Sequence, residues 1–235
     1  MPVGLTVGRC RTRRPSGRGA ATRQGSKQSI TAGAYHRRMR STATGAVAPP
    51  RRQQILDAAA DLFAQHGFRG VSIYQIGGAV GISGPALYRH FSSKDAVLAE
   101  MLIGISEHLL QRGRELAAGS EAGQGTLQGL IEMQVEFALD HPALITVHFR
   151  DIDSLAPQER RKVRRLQRQY VEIWAEAIRA MAPGTGESAA RSAAHAVFGL
   201  INSTPHISQL SRAETGALLR RMAFGAVLGA LGRSR

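Results

Sequence analysis

The chain has 235 residues, 43% of them apolar and only 5% aromatic, so one large domain or two small ones must close around a mainly aliphatic core. The formal charge is +14, from 31 Lys and Arg against 17 Asp and Glu, and the single Cys10 excludes an internal disulfide or a cysteine-built zinc site. No apolar run reaches the roughly 18 residues that suggest a membrane span, and the nearest candidate, Met222 to Leu231, is about half that length.

The charge is uneven. Residues 1–48 hold ten basic side chains, nine Arg and Lys27, and no acid, which leaves 21 basic and 17 acidic residues in 49–235. The segment is rich in Gly, Ser, Thr and Arg and short of clustered aliphatics, so it is expected to be disordered. Three readings compete for it. It is a transit peptide, although its glycines and prolines leave no amphipathic helix. It is a basic arm that attracts phosphates without sequence preference. Or it precedes a true start at Met39. A spurious or dispensable segment is preferred here to a working arm.

From Arg51 onward the pattern is helical. Ile55, Ala59, Leu62, Phe63 and His66 share one helix face, and Gly67 supplies a left-handed stop. Ser72 caps a short second helix, Ile73 to about Ala79, and Gly81 allows a tight turn. Ser83 caps a third, with Pro85 in its first turn, running to about His90. Ser92 and Asp95 have capping-box spacing for a fourth helix, with Val97, Leu98, Met101, Leu102, Ile105 and Leu109 on one face. Further helices are expected at Leu127–Asp140, Pro142–Arg150, Pro157–Met181, Ala189–Asn202 and Glu214–Leu231, with a break at Pro183-Gly184. No segment alternates as a strand does. The fold class is all-α, three short helices followed by about six longer ones. The expected divisions are 1–48 tail, 49–97 helix-turn-helix domain and 98–235 ligand-binding and dimerisation domain.

Three short helices with a four-residue turn between the second and third form a helix-turn-helix pattern. The residues that fill it are Ile55-Leu56-x-Ala58-Ala59-x-x-Leu62-Phe63, His66-Gly67-Phe68, Val71-Ser72-Ile73 and Ile76. They continue as Val80-Gly81-Ile82-Ser83-x-x-x-Leu87-Tyr88-x-His90-Phe91 and Ser93-Lys94. Residues 51–102 thus resemble the DNA-binding domain of the TetR (tetracycline repressor) family. One departure is Gly77-Gly78, where the family usually has at least one alanine. Two glycines cost roughly 1–2 kcal/mol of helix preference, so a less rigid second helix is expected.

A recognition helix reads base edges with its exposed face. That face is expected to present Gly84, Pro85, Ala86, Tyr88, Arg89 and His90, with Leu87 and Phe91 turned inward and Ser83 at its start. Arg89 is the candidate for bidentate guanine contact. Gly84, Pro85 and Ala86 offer only close approach and thymine-methyl contact. The resemblance implies phosphate contact by Tyr88 and Lys94. Ser72 marks a helix start where backbone N–H groups can meet phosphate, and Arg51 and Arg52 add charge. Tyr88 also reads as a packing residue, His90 first as a structural histidine, and Arg51 and Arg52 as solvated.

For residues 103–235 the resemblance implies an all-α domain that dimerises and holds a small-molecule pocket. The last two long helices would form the dimer interface, with Ala194, Val197, Phe198, Ile201, Leu218, Met222 and Leu228 as candidates or, alternatively, as internal core. Through His141-Pro142-x-Leu144, the basic run Arg160-Arg161-Lys162-Val163-Arg164-Arg165 and Tyr170-Val171-x-Ile173-Trp174, the stretch Leu144–Trp174 is similar to actinobacterial members of the family associated with lipid, sterol or acyl-CoA metabolism. A greasy channel could draw on Met101, Ile105, Met133, Phe137, Val147, Phe149 and Trp174, with His108, His148, Tyr170 and Asn202 as polar members that bond a ligand or one another. The Arg160–Arg168 run could meet phosphates, although a solvated charged face is the plainer reading. His148 and Asp151 are three apart but lack the rest of a metal site.

The reading is a homodimeric transcriptional regulator, not an enzyme, that binds a palindromic double-stranded DNA operator. A small apolar effector, lipid- or acyl-CoA-like, would release it. The resemblance implies no cofactor, no membrane association and a bacterial cytoplasmic, nucleoid-associated location. The alternatives are an activator of the same fold, and an architectural DNA-binding protein acting through its basic tail. An enzyme fails on inventory, with no Gly-x-Ser-x-Gly elbow, phosphate loop, zinc signature or acid pair.

Overall fold

Hydroxyl caps and prolines set where many of the helices begin. A computed structural model describes residues 50–119, 123–207 and 209–231; the expectations for residues 1–48 lie outside them. The described elements are all helical: α1 (Arg51–His66), α2 (Ile73–Ala79), α3 (Gly84–Leu87), α4 (Lys94–Gly119), α5 (Gln124–Asp140), α6 (Pro142–Asp151), α7 (Pro157–Met181), α8 (Glu187–Ile201) and α9 (Arg212–Leu231), with 3-10 turns at Ile152–Ser154 and Thr204–His206.

Ser72 closes a capping box at α2, accepting from the Gln75 N–H at 3.3 Å while Gln75 Oε1 accepts from the Ser72 N–H at 2.7 Å. Ser83 accepts from Ala86 at α3. The cap of α4 differs from expectation. Ser93 Oγ, not Ser92, takes the Ala96 N–H at 3.0 Å, because the helix starts one residue later than the Ser92–Asp95 spacing suggests. Pro142 and Pro157 open α6 and α7, where a missing N–H costs little. Gly67 (φ +77°) ends α1 and Gly81 (φ +71°) makes the turn between α2 and α3.

Helix α3 is shorter than expected. Residues 88–90 continue as turns rather than α-helix, with Arg89 donating to Ala86 and His90 to Leu87. The two glycines of α2 differ in role. A Cβ on Gly77 would stand 2.9 Å from the Ile82 carbonyl, so the close turn requires glycine there, whereas at Gly78 it would meet nothing within 4 Å.

Two apolar clusters organise the chain. The first gathers Ile55, Phe63, Ile76, Leu87 and Phe91 with Leu98 and Leu102 of α4, and Phe63 meets Phe68 edge to face. It also takes Val147 of α6, Leu155, and Val163 of α7. The second surrounds Trp174 of α7 with Leu127, Leu130, Ile178, Ile201 and Leu219. Helix α4 runs unbroken through residue 97 and feeds both clusters, so the helix-turn-helix unit is seated on the rest of the chain by α4 and α6. Each large side chain withdrawn from water contributes about 1.5–3 kcal/mol.

Candidate functional site

Most of the side chains expected on the outer face around the turn between α2 and α3 are exposed, with changes of detail. Leu87 and Phe91 point inward at 0% and 3% exposure, as expected. Tyr88 is half exposed, and Arg89, Pro85, Ser83 and Ser72 are exposed; Ala86 and His90 are only partly so. Gly84, expected on the outer face, is buried, because the ring of Tyr74 lies across it. Tyr74 drew no notice in the sequence, where a single aromatic on a short helix carries no signal.

Two cations expected to face DNA are engaged by other groups of the chain. Arg52 forks onto the Glu100 carboxylate, donates to the His90 carbonyl and stacks 4.2 Å over the Phe91 ring. Its charge is matched, so it joins α1 to α4 rather than standing ready for phosphate. The pairing also holds its guanidinium pKa up. Lys94 Nζ donates to the Phe68 and Val71 carbonyls, both at 2.7 Å, and sits 4.4 Å over the Phe68 ring. Only one of its three N–H donors is left for phosphate. Arg51 donates to the Val80 carbonyl at 3.0 Å and to Gln54 while staying exposed.

Two cavities adjoin α4 and α5, and the wider of them is bounded by α1 as well. The wider, about 760 Å³, is lined by Met101, Ile105, His108, Met133 and Phe137, and by Asp57, Glu100, Glu132, Glu136 and Asp140. Arg220 pairs with Glu132 and Glu136, and Arg212 with Glu136 and Asp140, so most of this acid is matched from α9. The narrower cavity, about 290 Å³, is lined by Ile105, Phe137, His148, Phe149, Tyr170 and Phe198. Nine of the eleven candidate pocket residues therefore line one cavity or the other. Val147 does not, being fully buried in the first core, and neither does Trp174. It is fully buried in the second core, with its indole N–H unpartnered among the described residues and the Phe198 ring edge-on to it at a centroid distance of 4.8 Å.

Across the narrower cavity runs a polar chain. Tyr170 donates to Gln134 Oε1 at 3.1 Å, and Gln134 donates to Asn202 Oδ1 at 3.1 Å. Gln134 is 2% exposed and was not singled out in the sequence, although a glutamine on an apolar helix face is a usable signal. Burial raises the Tyr170 hydroxyl far above its usual range and lowers His148, whose ring meets the Gln167 amide. Burial lowers His141 as well. The spacing of His148 and Asp151 leads to separate partners, Gln167 for the one and Arg150 for the other.

Helix α6 joins the narrower cavity to α1. Leu144, Ile145, His148 and Phe149 face the narrower cavity. At the end of the same helix, Arg150 donates to the Ala64 carbonyl at 3.1 Å and to that of Phe63 in the last turn of α1. Asp151, 6% exposed, pairs with Arg150 at 3.0 Å and accepts from the Phe68 N–H at 3.5 Å.

The proposed interface residues separate into two groups. Ala194, Val197 and Ile201 are buried in the chain's own core, and Phe198 stacks on Tyr170 at 5.5 Å, so their apolar face is already occupied. Leu218 is partly buried, whereas Met222 and Leu228 are 48% and 49% exposed on α9.

Two family models match the chain: residues 55–101 fit the N-terminal domain described as bacterial regulatory proteins of the tetR family, and residues 121–206 fit a tetracyclin repressor-like C-terminal domain. The chain belongs to the TetR family of bacterial regulators. The TetR family is one of transcriptional regulators, not enzymes. The HTH-type transcriptional repressor KstR2 of Rhodococcus jostii is 30% identical over 125 residues, 53% of this chain and 61% of that one. The match thus spans less than two thirds of that relative's length. A TetR-family regulator from Bordetella parapertussis superposes with a TM-score of 0.68 at 25% identity, over 78% of this chain and 95% of that one. The structure of AibR in complex with isovaleryl coenzyme A and operator DNA shares the fold at a TM-score of 0.63 and 15% identity, over 74% and 97% of the two chains. No helix among the described residues is long and apolar enough to cross a membrane.

Proposed function

We propose that this TetR-family chain is a homodimeric, sequence-specific DNA-binding repressor that a small apolar molecule releases from a palindromic operator. The observation that carries the reading is α6, which forms one wall of the narrower cavity and holds the end of α1 through Arg150 and Asp151. A ligand that displaces α6 must move α1, and with it the α2–α3 unit. The ligand shifts the operator equilibrium by as much as its affinity differs between the two positions of α6. Arg89 is the principal base reader, with Tyr88 at the flanking phosphates. The second protomer meets the outer face of α8 and α9, where Met222 and Leu228 stand beside exposed Ala196, Gly199, Gly225 and Gly229. Small residues there allow helices of two copies to approach closely.

The cavity chemistry favours an uncharged, lipid-like carbon skeleton with one or two polar groups that can exchange hydrogen bonds with the Gln134 chain. An acyl-CoA is the second reading, supported by the coenzyme A thioester in the AibR structure. Against it, Arg112 is the one arginine lining the wider cavity among the described residues and is paired with Glu115, while Arg212 and Arg220 of α9 are already engaged by Glu132, Glu136 and Asp140. The functional test is Arg89→Ala in the full chain, on a duplex selected by the wild type. Specific affinity should fall by roughly 5- to 150-fold, the equivalent of about 1–3 kcal/mol, with relaxed preference at one symmetric pair of positions. Unchanged affinity and preference would remove Arg89 from the reading surface.

A further inference from the structure

The first residue of α3 is Gly84, and the space its side chain would fill is occupied from α2. A Cβ on Gly84 would lie 2.3 Å from both Cδ1 and Cε1 of Tyr74 and 3.3 Å from Cζ, so the edge of that ring rests on the glycine. The contact buries Gly84, yet Tyr74 remains 66% exposed, above Tyr88 at 50%. Among the described residues the Tyr74 hydroxyl makes no hydrogen bond. The next two residues, Pro85 and Ala86, carry no polar side-chain atom. Gly84, Pro85 and Ala86 therefore leave base discrimination along this turn to Arg89, to its neighbours Ser83, Tyr88 and His90, and to groups beside α3.

We propose that Tyr74 is a specificity-determining residue that reads double-stranded DNA in place of the side chain Gly84 lacks. The inference rests on the DNA-binding reading above. It assigns a base contact to a residue of α2 that the helix-turn-helix pattern does not single out. A phenol suits the position. Its hydroxyl both donates and accepts, and its ring face packs against a thymine methyl in the major groove. The ring is held by its edge on Gly84, so little rotamer freedom is lost when DNA arrives. Glycine is thus needed at position 84 to admit the tyrosine, and the two residues act as one reading element.

The test uses the full chain, with sites selected from random duplex DNA. Wild type is selected first. If it recovers no consensus, the DNA-binding reading fails before any variant is made, and this inference falls with it. If it recovers a palindrome, Tyr74→Ala should retain its thermal midpoint and lose base preference at one symmetric pair of positions. That pair should differ from the pair lost in Arg89→Ala, with affinity lowered roughly 5- to 150-fold. Tyr74→Phe keeps the ring on Gly84 and should show a smaller loss at the same positions. Gly84→Ala expels the ring and should reproduce the preference change of Tyr74→Ala while leaving the Arg89-dependent positions intact. Two results overturn the inference. One is Tyr74→Ala with wild-type affinity and preference. The other is a loss spread evenly over all positions, which marks a packing role.

Discussion

The link between α6 and α1 predicts a measurable energetic coupling between Arg150 and Asp151. Arg150→Ala removes donors to the Phe63 and Ala64 carbonyls and leaves Asp151 with the Phe68 N–H, just beyond α1, at 3.5 Å as its remaining hydrogen bond among the described residues. A hydrogen bond to a charged group is worth about 1.5–3 kcal/mol. The Arg150 side chain is 42% exposed, so solvent screening brings its loss to the low end, about 2 kcal/mol. Asp151→Ala frees the guanidinium to water and should cost less, about 1 kcal/mol. The carboxylate is only 9% exposed, so removing Arg150 alone strands it, and the double variant relieves that strain. The double variant should therefore lose less than the two singles together, by about 1–2 kcal/mol. Urea unfolding of all four proteins, followed by circular dichroism at fixed ionic strength, reads this difference. Additivity within about 0.5 kcal/mol would refute the idea that the two residues form one joint between the halves.

Two further outcomes follow from the same geometry. Burial lowers the His148 and His141 pKa values below the usual 6.5, so the unfolded chain binds protons first as pH falls. Stability should be full above about pH 6.5 and decline below it until the folded-state values are passed, by at most about 1.4 kcal/mol per pH unit for each histidine. His148→Gln should flatten the decline in thermal midpoint between pH 7.5 and 5.5, and an unchanged slope would contradict the assignment. On α9, Met222→Glu with Leu228→Glu places like charges across the proposed two-fold interface. Sedimentation should give a folded monomer where the wild type gives a dimer; a dimer that survives both changes would move the interface elsewhere.

Local chemistry made much of the fold legible. Ser72, Ser83, Pro142 and Pro157 mark helix starts because a cap or a missing N–H acts within one turn. The same locality misled at α4, where Ser92 and Ser93 both offer a hydroxyl and only the helix start decides between them. The family resemblance pointed to apolar residues of α8 and α9 but not to what covers them. Ala194, Val197 and Ile201 face the chain's own core, while Met222 and Leu228 face outward. The joints between distant elements left no trace in the sequence. Arg52 meets Glu100 at a separation of 48 residues, and Arg150 meets Ala64 at 86. Nothing local distinguishes such an arginine from a solvated one. Tyr74 shows the same limit, since its role appears only when α3 is laid beside it.

The most direct test of the account is operator selection from random duplex DNA with the full chain at a stated salt concentration near 0.15 M. The account predicts recovery of a palindromic consensus, bound by two protomers, with half-sites spaced to meet two α3 turns on successive major grooves. Recovery of no consensus, with binding that disappears as salt is raised, would reduce the interaction to phosphate attraction and contradict it.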